Sequence, residues 1–80
     1  MYSIAIYYTD IPSIRNKIDQ LPDDYQGYLI LNNKSIDWWT DSGYRLMLNW
    51  DLPVSLEEFL DDVRNIYLGN FEFKQTWGDQ

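Results

Sequence analysis

The chain contains no cysteine and no histidine. Without cysteine there can be no disulfide, no thiol nucleophile and no thiolate-held metal. Without histidine the commonest general base, the commonest metal ligand and the usual switch near neutral pH are missing. Basic residues are scarce as well, six Lys and Arg against thirteen Asp and Glu, for a formal charge of -7. That balance repels nucleic acid and anionic membranes and favours basic partners, although small soluble domains often carry a net charge of this size for solubility alone. No apolar run approaches the length of a membrane span. Met1-Tyr2-Ser3-Ile4 has neither the basic region nor the apolar core of a signal peptide, so a soluble, cytoplasmic chain is expected.

What the chain has in abundance is aromatic: four Trp, seven Tyr and three Phe in eighty residues. A chain of this length forms one domain, 1–80, and buries only about 60% of the surface its unfolded form exposes. With no disulfide to help, the aromatics must supply much of the core.

The centre of the chain, Gln26 to Trp50, reads as three short strands joined by two tight turns. Tyr28-Leu29-Ile30-Leu31 is an apolar run. Asn32-Asn33-Lys34-Ser35 is a cluster that tolerates turn geometry. Ile36-Asp37-Trp38-Trp39-Thr40 is aromatic and β-branched, with Ile36, Trp38 and Thr40 on one face and Asp37 and Trp39 on the other. Thr40-Asp41-Ser42-Gly43 is a second turn. Tyr44 to Trp50 then alternates, with Arg45, Met47 and Asn49 opposite Tyr44, Leu46, Leu48 and Trp50. Strands spaced this closely pair antiparallel.

Before this meander, Tyr2 to Tyr8 alternates as a strand. Thr9 or Asp10 is placed to cap a helix with Pro12 in its first turn and Ile11, Ile14, Ile18 and Leu21 as its apolar stripe. Leu21-Pro22-Asp23-Asp24 ends it. After the meander, Ser55 and Glu58 have the spacing of a capping box, Val54 and Phe59 that of a hydrophobic staple, and Gly69 that of a helix stop. Leu56, Phe59, Leu60, Val63 and Ile66 or Tyr67 are expected on the buried side of this second helix. Asn70 to Trp77 alternates as a last strand.

The element order is therefore β-α-β-β-β-α-β. The fold class is α+β, a mostly antiparallel five-stranded sheet with two helices on one face. A ferredoxin-like sandwich with one extra strand is the leading topology by architectural analogy, with right-handed connections wherever helix-linked strands run parallel.

Two features point to binding. Glu57, Glu58, Asp61 and Asp62 are expected on the outer side of the second helix, with Asp23 and Asp24 after the first helix and Asp37 and Asp41 from the meander. Like charges at i, i+3 and i, i+4 cost about 0.2–0.5 kcal/mol per pair, offset in part for Glu57 and Glu58 by the helix N-terminus. A row of carboxylates retained against that cost can imitate phosphates before a basic partner; the plainer reading is a solvated helix face. The second feature is Trp39. Adjacent strand residues point to opposite faces, so Trp38 and Trp39 cannot both lie under the helices, and exposed Trp is enriched at binding hot spots. Met47, Tyr7 and Ser3 or Ala5 share the non-helix face with it.

No catalytic, cofactor or metal signature is present. The acids do not have the spacing of a calcium loop, and carboxylates on one exposed helix lack the cleft a hydrolase needs. Enzymatic activity and a bound cofactor or metal are not expected. Single-strand stacking on the aromatics needs a positive groove, which six scattered cations do not provide.

In size, acidity and surface aromatics the chain is similar in type to two groups of small acidic proteins. One comprises phage-encoded inhibitors of host defence, including anti-CRISPR and anti-restriction proteins that imitate DNA. The other comprises immunity proteins that plug basic active sites of nuclease toxins. The resemblance is of type and carries no residue roles. The expected function is an acidic inhibitor, acting in the host cytoplasm if phage-encoded, that binds the basic surface of a nucleic-acid-binding protein or nuclease complex, as monomer or dimer and without touching nucleic acid or membrane. The alternatives are an immunity protein and a structural or adaptor domain that binds through its aromatic sheet face.

Overall fold

The computed structural model describes residues 1–17, 25–41 and 43–76. The far end of the first helical stripe, Ile18 to Asp24, lies outside the described residues, as do Ser42 and the tail from Trp77. Strands β1 (Tyr2–Tyr7), β2 (Gln26–Leu31), β3 (Lys34–Asp41), β4 (Arg45–Trp50) and β5 (Glu72–Gln75) form one sheet in the order β1-β4-β3-β2-β5. A 3-10 turn, Tyr8–Asp10, leads from β1 into the short helix α1 (Pro12–Arg15); helix α2 spans Leu56–Leu68. The α+β class and the element order are those expected from the sequence.

Every neighbouring pair of strands is antiparallel. Stepping through those pairs, β1 runs opposite to β2 and β4 opposite to β5. Both helices therefore link strands of opposite direction, whereas a split β-α-β unit needs parallel ones. The sheet departs from the ferredoxin-like plan, and the handedness rule for parallel crossovers has no pair to act on. β1 is an edge strand.

The meander forms for local reasons. Asn32 and Asn33 both take positive φ, 49° and 61°, as a two-residue hairpin turn requires, and Leu31 pairs with Lys34 directly across it. The strand resumes at Lys34, two residues earlier than expected. At the other end of β3, Asp41 pairs with Arg45 and Tyr44 takes φ 65°.

The start of α1 differs from expectation. Neither Thr9 nor Asp10 caps it. Ile11 occupies the N-cap with no side-chain bond, and Pro12 stands at the first helical position, where its missing N–H costs nothing. α2 starts as read: Ser55 Oγ accepts from Glu58 N–H at 3.1 Å. It ends with Gly69 N–H on Ile66 O and Asn70 N–H on Asn65 O, which satisfies carbonyls of the last turn.

One continuous core lies between the sheet and both helices. Ile6, Leu29, Leu31, Ile36, Trp38, Leu46, Leu48 and Trp50 contribute from the sheet, and Ile11, Ile14 and Ile66 from the helical layer. Trp38 stacks on Phe73, ring centroids 4.7 Å apart, and its Nε1 donates to Lys74 O at 3.1 Å. This fit requires glycine at position 27: a Cβ there would stand 2.0 Å from Lys74 O and 2.6 Å from the Trp38 ring.

Candidate functional site: an ion cluster under the helix and an open sheet face

α2 is rotated about its axis relative to the expected buried face. Leu56 and Leu60 are each 55% exposed, and Tyr67 46%. Asp62, expected on the outside, is 0% exposed. Its Oδ1 accepts from Asn32 Nδ2 at 2.9 Å, its Oδ2 accepts from Trp50 Nε1 at 3.0 Å, and Lys34 Nζ stands 3.1 Å from Oδ2. Lys34 is itself buried and donates to Glu58 Oε2 at 2.7 Å. The Glu58 carboxylate, expected to close a capping box, is held by Lys34.

Burial opposes the charge on Lys34 most strongly. Its hydrogen bonds to Glu58 and Asp62 together outweigh that, and its pKa lies above the ordinary lysine value. Among the described residues no buried side-chain nitrogen or oxygen lacks a hydrogen-bond partner. This cluster holds α2 against the β2–β3 turn. It is a structural device: removing Lys34 strands the buried Asp62 charge in a low-dielectric site, and removing Asp62 leaves the buried Lys34 with Glu58 alone.

The expected row of carboxylates therefore shrinks on α2. Asp62 is removed from it by burial, and Glu58 is engaged with Lys34. Glu57 and Asp61 remain exposed, and Asp61 bonds Arg64 at 3.1 Å and Asn65 at 3.2 Å. Asp41 pairs with Arg45 at 2.6 Å across its turn. Asp23 and Asp24 lie outside the described residues. Asp37 is exposed and makes no ion pair among the described residues. The structure does not gather these acids on one surface: Glu57 and Asp61 belong to the helix layer, Asp37 and Asp41 to the opposite face of the sheet.

Among the described residues that opposite face carries no helix. Alternation places Ser3, Ala5, Tyr7, Arg45, Met47, Asn49, Asp37, Trp39, Tyr28 and Gln26 on it, and the register aligns them in rows. Ala5, Met47, Trp39 and Gln26 form one row; Ser3, Asn49, Asp37, Tyr28 and Lys74 form the next. Trp39 is 41% exposed at the middle of the sheet, as its position in the sequence indicated. Beside it is a shallow hollow of about 430 Å³ whose rim includes Gln26, Tyr28, Asp37, Trp39, Asn49 and Thr76. An indole and a carboxylate with no ion-pair partner among the described residues thus share the rim of one depression. That pairing suits a cationic side chain, which gains from the ring face and from the acid together.

Sequence reasoning missed the ion cluster, although the sequence contained its signal. Lys34 has the parity of Ile36 and Trp38 on a half-buried strand. Asp62 lies three residues after Phe59 and four before Ile66, where an apolar residue belongs. A basic and an acidic residue each standing in an apolar stripe is the mark of a buried pair.

Among the described residues no cluster of three or more acids has the arrangement of a metal site, and no helix is long and apolar enough to cross a membrane. Comparison with known proteins finds no matching family model, no similar curated protein and no similar solved structure.

Proposed function

We propose that this chain is a small acidic interaction protein that binds and blocks a basic, nucleic-acid-handling protein, and that it docks through the open face of its sheet. The observation that carries the reading is the Trp39–Asp37 hollow. A Lys or Arg of the partner enters it, laid over the Trp39 ring with its charge toward Asp37. A cation over an indole contributes about 0.5–2 kcal/mol depending on desolvation. The net charge of -7 acts at longer range, speeding encounter with a positive surface and making association sensitive to salt. Glu57 and Asp61, on the far side of the molecule, belong to that general field.

The first choice of target is a defence nuclease complex of the CRISPR type, and the nearest variant is a nuclease toxin. Both present Lys/Arg surfaces meant for phosphate. The test is capture on the immobilised chain from extracts carrying such nucleases, with washes split by salt and by competing DNA. Retention of a nuclease that Trp39→Ala or Asp37→Asn abolishes, together with loss of its cleavage activity, supports the reading. Retention that both variants leave unchanged overturns the site. A partner captured through Trp39 whose activity is unaffected favours the adaptor alternative.

A further inference from the structure

The two edges of the sheet are built differently. β5 is four residues long and carries Glu72 and Lys74, ion-paired at 3.1 Å. Short, charged edges resist pairing with another chain. β1 has none of these protections. Its six residues contain no charge and no proline, and its register with β4 runs without a bulge from Tyr2 opposite Trp50 to Tyr7 opposite Arg45. Among the described residues β4 is its one strand neighbour. Tyr8 N–H donates to Tyr44 O on the β4 side, and donor direction alternates along a strand. The backbone groups of Ser3, Ala5 and Tyr7 are therefore turned away from the sheet, toward whatever lies beside the edge.

Apolar surface flanks this edge on both sides. On the helix side, Phe59 stacks on Tyr2 with centroids 4.4 Å apart, while Glu58 reaches Lys34 in the other direction. These two contacts mark which side of α2 is turned to β1 and which to β3. Helical spacing then puts Leu56, Leu60, Val63 and Tyr67 along the side turned to β1. Of these, Leu56 and Leu60 are exposed where the sequence pattern expects burial, and Val63 is half-buried against the core. On the open side Tyr7 is 54% exposed.

We propose that β1 pairs with β1 of a second copy, joining the two sheets into one of ten strands around a two-fold axis. An axis perpendicular to the sheet keeps both helix layers on the same side and opposes residues of equal parity. Centred on Ala5, it sets Ala5 opposite Ala5, Ser3 opposite Tyr7 and Ile4 opposite Ile6. The opposed odd-numbered residues are those whose backbone groups point outward, so each such pair exchanges both N–H···O bonds. Large meets small on the open side, where each Tyr7 ring covers a Ser3. On the helix side the two α2 stripes face one another and shield Leu56 and Leu60.

Charge selects this edge for self-association. Each copy carries -7, and β1 is an edge strand on which no carboxylate opposes its twin. Size allows it. The molecule measures 33 × 25 × 20 Å, so the narrow side that carries β1 offers roughly 500–660 Å², the low end of a partner's share of a specific interface. The dimer also places two Trp39 hollows on the same side of one sheet, which makes binding to a repetitive basic surface bivalent.

The experiment is sedimentation equilibrium of the full chain from about 1 to 200 μM, beside Ala5→Pro and Ala5→Lys. Proline at position 5 removes only an N–H directed away from β4, which an edge strand tolerates. Lysine sets two like charges face to face at the axis. The wild type is expected to dimerise within this range, and each variant to raise the dissociation constant at least about a hundredfold while keeping the wild-type circular dichroism. Amide exchange of the wild type supplies a readout that does not depend on any variant folding: Ser3, Ala5 and Tyr7 amides gain protection as concentration rises. A monomeric wild type at the highest concentration overturns the proposal. So does a dimer whose Ala5 amide exchanges freely, or one lost with Leu60→Lys and unchanged by both Ala5 variants.

Discussion

Lys34 Nζ stands 3.1 Å from Asp62 Oδ2, with the lysine buried and the carboxylate fully shut off from solvent. The pair joins the first residue of β3 to the middle of α2. It decides how the helix is turned and so which acids and which leucines reach the surface. Because both charges are desolvated, their value lies in mutual dependence. Lys34→Met leaves Asp62 uncompensated and is expected to cost about 3–5 kcal/mol in urea unfolding, a large share of the stability of a domain this small. Lys34→Met with Asp62→Leu is expected to cost clearly less than the two single changes added together, the remainder reflecting the Trp50 and Asn32 donors left without an acceptor.

The pH dependence follows from the same lysine. Its pKa is raised on folding, so the stabilisation is fully present below the unfolded value near 10.5 and is lost as pH climbs through the higher folded value. The comparison is with Lys34→Arg, whose guanidinium keeps its charge. From pH 9 to about 11.5 the wild-type urea midpoint is expected to fall further than that of Lys34→Arg. Parallel curves would remove Lys34 from the account.

Gly27→Ala tests the seat of Trp38. The new methyl meets Lys74 O and the indole at once, and a backbone oxygen cannot swing aside as a side-chain end can. The expected loss is about 3 kcal/mol, with loss of amide protection concentrated in β5, whose pairing to β2 passes through this residue. A loss under about 0.5 kcal/mol would mean the two strands stand further apart than described.

The Asn32-Asn33 turn gives a milder case. Asn33→Val must hold a β-branched residue at positive φ and is expected to destabilise by about 1–2 kcal/mol. Asn33→Gly is expected to be neutral or slightly stabilising, since glycine meets no steric penalty there. Thermal unfolding of the two variants side by side checks the sign.

Much of this fold is legible in residue order. Alternation in Ile36 to Thr40 and in Tyr44 to Trp50 assigns Trp38 to the core and Trp39 to the open face, because period two admits one choice once a face is covered. Ser55 with Glu58, and Gly69, set the ends of α2, because caps are local. Strand order is not legible. It depends on which edge the long connections reach, and no local feature of Tyr2 to Tyr7 states that β4 will be its neighbour. The rotation of α2 failed for a related reason. Its apolar residues span a wide arc, and the contact that selects one orientation is a charge pair between residues 34 and 62. Of the candidate site, the exposure of Trp39 and Asp37 on one face follows from alternation alone. Their sharing one hollow depends on Gln26, Tyr28 and Asn49 from two neighbouring strands, a cross-strand fact that appears only with the register.

The open sheet face, with Trp39 and Asp37 at its middle, is the surface proposed to bind a basic partner. The most direct measurement is the affinity of a captured nuclease complex for four chains: wild type, Trp39→Ala, Asp37→Asn, and Glu57→Gln with Asp61→Asn. Each is measured at low salt and at about 0.5 M salt. Trp39→Ala is expected to weaken binding by about 2 kcal/mol or more at both salts while leaving unfolding within about 0.5 kcal/mol. Asp37→Asn weakens it mainly at low salt, and the helix double variant has the smallest effect. The contrary result is full affinity in Trp39→Ala with loss in the helix double variant, which would return the site to α2.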